Sequence, residues 1–159
     1  MAAAVETSVL SKILRMKGNV VSGFQRGSKL LGIPTANLSF ETFRDLLDDV
    51  PAGVYFGWAS VNSAGPYKTV LSIGWNPFFK NSQKTVEPYI LHKFDGDFYG
   101  QELRLLVCGF IRPEADFSSL DALIEAIHND IKVADGALDK SPYKEYQNDS
   151  LFIHEQGKL

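Results

Sequence analysis

Between residues 53 and 111 apolar positions recur with a period of two, the spacing of strands whose successive side chains face opposite sides. Across 53–61, Val54, Phe56 and Trp58 alternate with Tyr55, Gly57 and Ala59, which suits a curved strand buried on both sides in places, with Gly57 at a bend. A turn over 62–66 (N-S-A-G-P) and a return over 67–73 then make a hairpin. Gly74-Trp75-Asn76-Pro77 breaks the alternation ahead of a polar, aromatic loop over 78–84, the kind of loop where a compact β domain meets ligands. Strands are predicted again over 85–94 and 102–111, with a turn at 95–101.

The period changes to that of a helix after residue 118. Leu120, Leu123, Ile124, Ile127 and Ile131 share one face, Ser118-x-x-Asp121 forms a capping box, and Gly136 ends the helix, which is expected to lie across the strands. Nearer the N-terminus, Val9, Leu10, Ile13 and Leu14 predict a short amphipathic helix over 6–15, followed by a first strand at 19–23. Phe43, Leu46 and Leu47 fit one or two helical turns that Pro51 and Gly53 terminate. The tail over 137–159 is mixed and predicts one more helix or an irregular wrap. Several short strands with no βα alternation read as a barrel or a sandwich, mainly β.

The full sequence has 159 residues, 45% of them apolar and 22% charged, which bounds it to one globular domain with a real core. That domain divides into an extension or short helix at 1–15, a barrel plus helix at 16–136 and a wrap at 137–159. A net charge of −3 speaks against nucleic acid as a partner, since such domains carry a basic excess. No stretch reaches the roughly 20 apolar residues of a membrane span, so no membrane partner is expected. The single cysteine, Cys108, excludes an internal disulfide and a cysteine-cluster zinc site, and its apolar setting reads as an inert buried thiol. A reducing, cytoplasmic setting and a monomer are the expectations.

Charge distribution is more telling than its sum. No acidic residue occurs from Thr7 through Phe40, whereas Lys12, Arg15, Lys17, Arg26 and Lys29 all fall there, so an anion-attracting field is local to that stretch. Within it, residues 23–37 read G-F-Q-R-G-S-K-L-L-G-I-P-T-A-N. Gly23, Gly27 and Gly32 allow close backbone approach, and Arg26 and Lys29 add cations, together a cradle for phosphate. Pro34 favours an extended exit in which Thr35 and Asn37 face the same way, roughly 6.7 Å apart. Their hydroxyl and amide oxygens are hard, neutral ligands of the kind that hold Mg²⁺ already carried by nucleotide phosphates. The same residues equally suit a surface loop that runs into a strand. The spacing is neither a Walker A loop nor a G-x-G-x-x-G, and Phe94-Asp95-Gly96 is not D-F-G.

The run G-x-x-R-G-x-x-L-L-G-I-P-T-A-N, with Gly53-Val54-Tyr55-Phe56-Gly57-Trp58-Ala59, Ser72-Ile73-Gly74-Trp75-Asn76-Pro77 and Asp97-Phe98-Tyr99-Gly100, resembles the monofunctional riboflavin kinase family over residues 18–130. The resemblance implies a small closed Greek-key antiparallel β-barrel with a long helix in the C-terminal half and short peripheral helices. The activity it implies is transfer of phosphate from ATP to riboflavin, giving FMN. Glu87 occupies the position of the family's catalytic glutamate, and a carboxylate in that β-rich segment can hold and aim a hydroxyl. Gly23, Lys29, Thr35, Ile90, His92 and Tyr99 correspond to ATP contacts, and Thr35 and Asn37 to ligands of Mg²⁺, with Zn²⁺ or Mn²⁺ as alternatives. Arg112, Ala115 and Phe117 correspond to the flavin contacts. Pro88-Tyr89 and Ala115 depart from the family's pattern. From the residues alone, Glu87 also reads as an exposed strand glutamate, Arg112 as a loop arginine in a solvated salt bridge, and Phe117 as a hydrophobic staple. Two other functions fit the residues: a non-catalytic FMN-binding β-barrel, and an interaction barrel that recruits protein or nucleic acid through the acid-free interval from Thr7 to Phe40.

Overall fold

A computed structural model of the chain describes residues 8–21, 37–38, 50–75, 84–92 and 102–153. Six strands, β1 (Ser8–Val21), β2 (Asn37–Leu38), β3 (Gly53–Val61), β4 (Ala64–Trp75), β5 (Lys84–Ile90) and β6 (Glu102–Pro113), form one antiparallel sheet in the order β2-β1-β6-β3-β4-β5. β3, β4 and β5 run as a meander and β6 returns beside β3, a Greek-key arrangement. The expected closure is incomplete among the described residues: the hydrogen-bonded ladder is open between β2 and β5. Their Cα atoms nonetheless come within 8 Å of each other, so the sheet curls into a barrel-like shape with a seam. β2 contributes only two residues, and both are already paired with β1.

The N-terminal helix expected over 6–15 is a strand where it is described. β1 runs alongside β6, with Leu14 opposite Val107 and Met16 opposite Leu105, and both side chains are buried while Arg15 and Lys17 are exposed. The helical spacing of Val9, Leu10, Ile13 and Leu14 was overridden by pairing, because the ladder satisfies the backbone and buries alternate residues in one step. A register shift between Val9 and Leu14 absorbs the mismatch. The β3–β4 turn is also tighter than the 62–66 segment suggested. Asn62 and Ser63 lie at φ 48° and 75°, the two left-handed positions of a type I′ turn, whose twist matches the strands it joins. Gly57 does sit at an irregularity: the β3–β6 register shifts between Phe56 and Gly57, and a Cβ there would lie 1.8 Å from the Leu106 carbonyl oxygen.

The sheet buries both faces. Its inner face gathers Leu14, Met16, Tyr55, Leu71, Ile73, Val86, Ile90, Leu103, Leu105 and Val107 into one apolar cluster. The outer face carries Phe56, Trp58, Val70, Leu106 and Cys108, covered by the helix α1 (Leu120–Ala137) and by the tail. The cap of α1 is Ser119 rather than Ser118, its Oγ accepting from Ala122 N at 3.1 Å, and the helix continues through Gly136. Its buried face is Ile127, Asp130 and Ala134, and Leu120, expected inside, is 53% exposed. The tail forms two 3₁₀ turns, Tyr143–Asn148 and Ser150–Phe152. Trp58 Nε1 donates to the Tyr143 carbonyl at 2.9 Å, and Arg104 Nη1 to that of Leu151 at 2.9 Å. No helix among the described residues is long and apolar enough to cross a membrane.

Candidate functional site

Under the N-terminal half of α1 the outer face is not filled. A cavity of about 550 Å³ opens there, a size that suits a cofactor or drug-sized ligand. Its floor is Val54, Val70, Ser72 and Tyr89 from the sheet, its roof Leu123, Ile127 and Asp130 from α1, and its rim Arg112 with residues 114–117. The contrast with the C-terminal half of α1 explains the gap. There Ala134 and Leu138 are fully buried against Val70, Leu106 and Cys108, with burial pushing the Cys108 thiol up to about 12.

The rim is built from two contacts. Arg112 Nε donates to Asp130 Oδ1 at 2.9 Å and Nη2 to Oδ2 at 2.8 Å, a two-point carboxylate grip. The guanidinium also lies over the Phe117 ring, 5.4 Å from its centroid. Asp130 is 3% exposed at its side chain, and burial holds its carboxyl above the usual 3.8 even though Arg112 pulls it down. Where β4 passes the rim, a Cβ at Gly74 would lie 2.0 Å from Glu114 Oε1, so a larger residue there displaces that exposed, flexible carboxylate.

Glu87 stands on the same face as the cavity floor. It pairs with Ser72 across β4–β5 and precedes Tyr89 by two residues; cross-strand partners and alternate residues share a face. Its Oε1 is buried, which departs from the exposed strand glutamate that composition allows. The carboxylate faces the helix-covered side and not the inner core, where Val86, Pro88 and Ile90 are buried. Burial raises the Tyr89 hydroxyl well above its ordinary value, and the negative charges of Glu87 and Asp130 add to the shift. Pro88 leaves the strand intact, in register with Leu71, because β5 is an edge of the hydrogen-bonded sheet, where a missing N–H is tolerated.

The remaining sequence-predicted residues divide sharply. Arg112, Ala115 and Phe117 come together on the cavity rim, with Arg112 in a buried ion pair instead of a solvated one. The Ile90 side chain belongs to the inner core, and His92 is exposed with its ring stacked on Tyr67 at 3.9 Å between centroids. Asn37 pairs with Val21 in β2, the strand whose Cα atoms approach β5. Gly23, Lys29, Thr35 and Tyr99 lie outside the described residues, as do the rest of the expected phosphate cradle before Asn37 and the expected turn at 95–101. No cluster of three or more His, Cys, Asp or Glu suited to a metal occurs among the described residues, and the expected ligands Thr35 and Asn37 are of other types. Sequence reasoning passed over Ser72, Tyr89, Glu114 and Asp130. For Asp130 a signal was available: a carboxylate three residues after Ile127 and four before Ala134 sits in the apolar stripe of its helix.

The family model described as riboflavin kinase matches residues 10–138. The chain is 57% identical over 132 residues to a bifunctional riboflavin kinase/FMN phosphatase of Arabidopsis thaliana, covering 83% of this chain and 35% of that protein, so it spans about a third of that relative's length. It is 47% identical over 143 residues to the riboflavin kinase of Mus musculus, covering 90% of this chain and 92% of that one. The crystal structure of riboflavin kinase from Trypanosoma brucei superposes with a TM-score of 0.76 at 31% identity, over 96% of this chain and 94% of that one. With the barrel-like Greek-key sheet, the helix-roofed cavity and the half-buried glutamate beside it, these matches establish that the chain belongs to the riboflavin kinase family.

Proposed function

We propose that this chain transfers the γ-phosphate of ATP to the 5′-hydroxyl of riboflavin, giving FMN and ADP, as a single domain spanning residues 1–159. The observation that carries the reading is the neighbourhood of Glu87: a carboxylate with a buried oxygen, one step along the strand face from a cavity of about 550 Å³, on the strand that β2 approaches at the seam. β2 begins at Asn37, the last residue of P-T-A-N, and its Cα atoms come within 8 Å of β5, the strand that carries Glu87. In a loose phosphoryl-transfer transition state the base mainly aims the hydroxyl. Glu87 accepts the proton of the ribityl alcohol as its oxygen bonds to the γ-phosphorus, and the bond from that phosphorus to the β–γ bridging oxygen breaks to leave ADP.

The flavin ring occupies the cavity, with Val54 and Val70 as apolar floor and Arg112, Ala115 and Phe117 at the rim. Gly23, Lys29, Thr35, Ile90, His92 and Tyr99 serve the nucleotide. The donor chemistry of Thr35 and Asn37, two hard neutral oxygens, fits Mg²⁺ delivered with the phosphates. When bound, that ion neutralises phosphate charge. Soluble small molecules as both substrates suit a cytoplasmic monomer with neither nucleic acid nor membrane as partner.

The test is an end-point reaction of purified protein with riboflavin, ATP and MgCl₂, resolved by chromatography. FMN and ADP in equal amounts are expected, with no FAD in excess ATP. Failure to form FMN above a protein-free control removes the kinase reading and leaves a flavin-binding barrel.

A further inference from the structure

Asp130 is the most deeply buried charged group among the described residues, with 2% of its surface accessible, and no step of the proposed reaction uses it. A carboxylate in the apolar stripe of a helix costs desolvation, which an ion pair with good geometry offsets only when its hydrogen bonds are satisfied. Both oxygens of Asp130 are satisfied by one partner, Arg112, at 2.9 and 2.8 Å. Tying β6 to α1 would be served as well by two packed apolar residues. What the pair adds is orientation. Arg112 is a long, flexible side chain at the end of a strand, and with Nε and Nη2 engaged by Asp130 and its guanidinium carbon over the Phe117 ring it keeps one pose. Its Nη1 is 3.4 Å from the Pro113 carbonyl, the outer limit of a hydrogen bond, and this leaves cationic donor capacity at a cavity wall whose other polar side chains are the hydroxyls of Ser72 and Tyr89 and three carboxylates.

We infer that Asp130 is a positioning residue: from the helix roof it holds the Arg112 guanidinium over the Phe117 ring, so that the remaining guanidinium donors meet the ligand ring without first having to be ordered. The inference rests on the flavin-site reading of the cavity. It assigns Asp130 a role in flavin affinity and none in nucleotide affinity or in the phosphoryl step, because the residue acts through Arg112 alone.

The experiment measures FMN affinity of the full chain by quenching of flavin fluorescence, with steady-state kinetics on the same variants. Asp130→Asn is expected to weaken FMN binding and to raise the riboflavin KM by about tenfold, the scale of a hydrogen bond to a charged group, with kcat and the ATP KM within about twofold. In an Arg112→Gln background the Asp130→Asn change is expected to add nothing further. Unchanged flavin affinity, or losses that multiply in the double variant, overturns the inference, since a merely structural residue gives additive effects. If Asp130→Asn does not fold, Arg112→Lys decides: it keeps the charge but cannot make the two-point contact, and normal flavin affinity in that variant overturns the inference too. The binding readout needs no turnover. A parent chain that binds FMN but does not make it refutes the kinase reading alone, and one that binds no flavin refutes both.

Discussion

On the inner face of the sheet Leu71, Ile73, Leu103, Leu105 and Val107 are fully buried in one apolar cluster, whereas one step along the same strands Ser72, Tyr89 and Arg112 stand around a cavity on the outer face. Both faces are enclosed, and alternation along β4, β5 and β6 serves both at once. The difference lies in what closes them. The inner face closes on itself as the sheet curls, and its few polar groups, such as the Thr69 and Tyr55 hydroxyls, bond to nearby backbone carbonyls. The outer face depends on a separate lid, α1, which packs against the sheet at Ala134 but toward its other end leaves a cavity lined by Arg112, Asp130 and Phe117. One face is therefore a stability element, and the other trades packing for an enclosed site.

The largest effect should come from the outer face without touching stability. Glu87→Gln is expected to lower kcat by about 10²- to 10⁴-fold, the range of general-base contributions, with flavin binding retained and the melting temperature near that of the parent. Steady-state rates and a thermal melt on the same preparation check this, and a matched loss of folding would break the division between the faces. On the inner face, Leu105→Ala should do the reverse. Removing a fully buried leucine is expected to destabilise by about 2–5 kcal/mol in denaturant titration, while the fraction that remains folded keeps a normal riboflavin KM.

The smallest effect belongs to the strap that ties the tail down. Arg15 donates to both oxygens of Asp149, at 3.0 and 2.8 Å, but its side chain is 47% exposed, so Asp149→Asn should cost about 1 kcal/mol or less. Arg15 holds the Asp149 carboxyl below its ordinary 3.8, so the stabilisation is present above that pH and is lost as pH falls through the lowered folded value. The stability difference between parent and variant should shrink accordingly on acidification below 3.8, which urea melts at several pH values can follow. Asp130 has the opposite sign. Burial raises its carboxyl, so its contribution is in place below 3.8 and is lost as pH rises through the raised folded value. Two arginine–aspartate pairs of like geometry thus differ in pH response because one lies at the surface and the other beneath a helix.

Alternation, turn residues and helical spacing, all local properties, were enough to read the β3–β4 hairpin, β5, β6 and α1 directly from the chain, and the run ending in Pro34-Thr35-Ala36-Asn37 was enough to suggest a phosphate site. Local pattern failed where long-range pairing decided the outcome. The helical spacing of residues 9–14 yielded to a ladder with β6, and the face of α1 turned so that Asp130 went in and Leu120 stayed out. Only the tertiary structure decided that Ser72, Tyr89, Arg112 and Asp130, spread over 59 positions of the chain, line one cavity, and that Glu87 stands beside it with a buried oxygen. Sequence patterns report which side of a strand or helix a residue occupies; which other elements cover that side depends on how the sheet curls and where the helix comes down, and these are settled by contacts between distant segments.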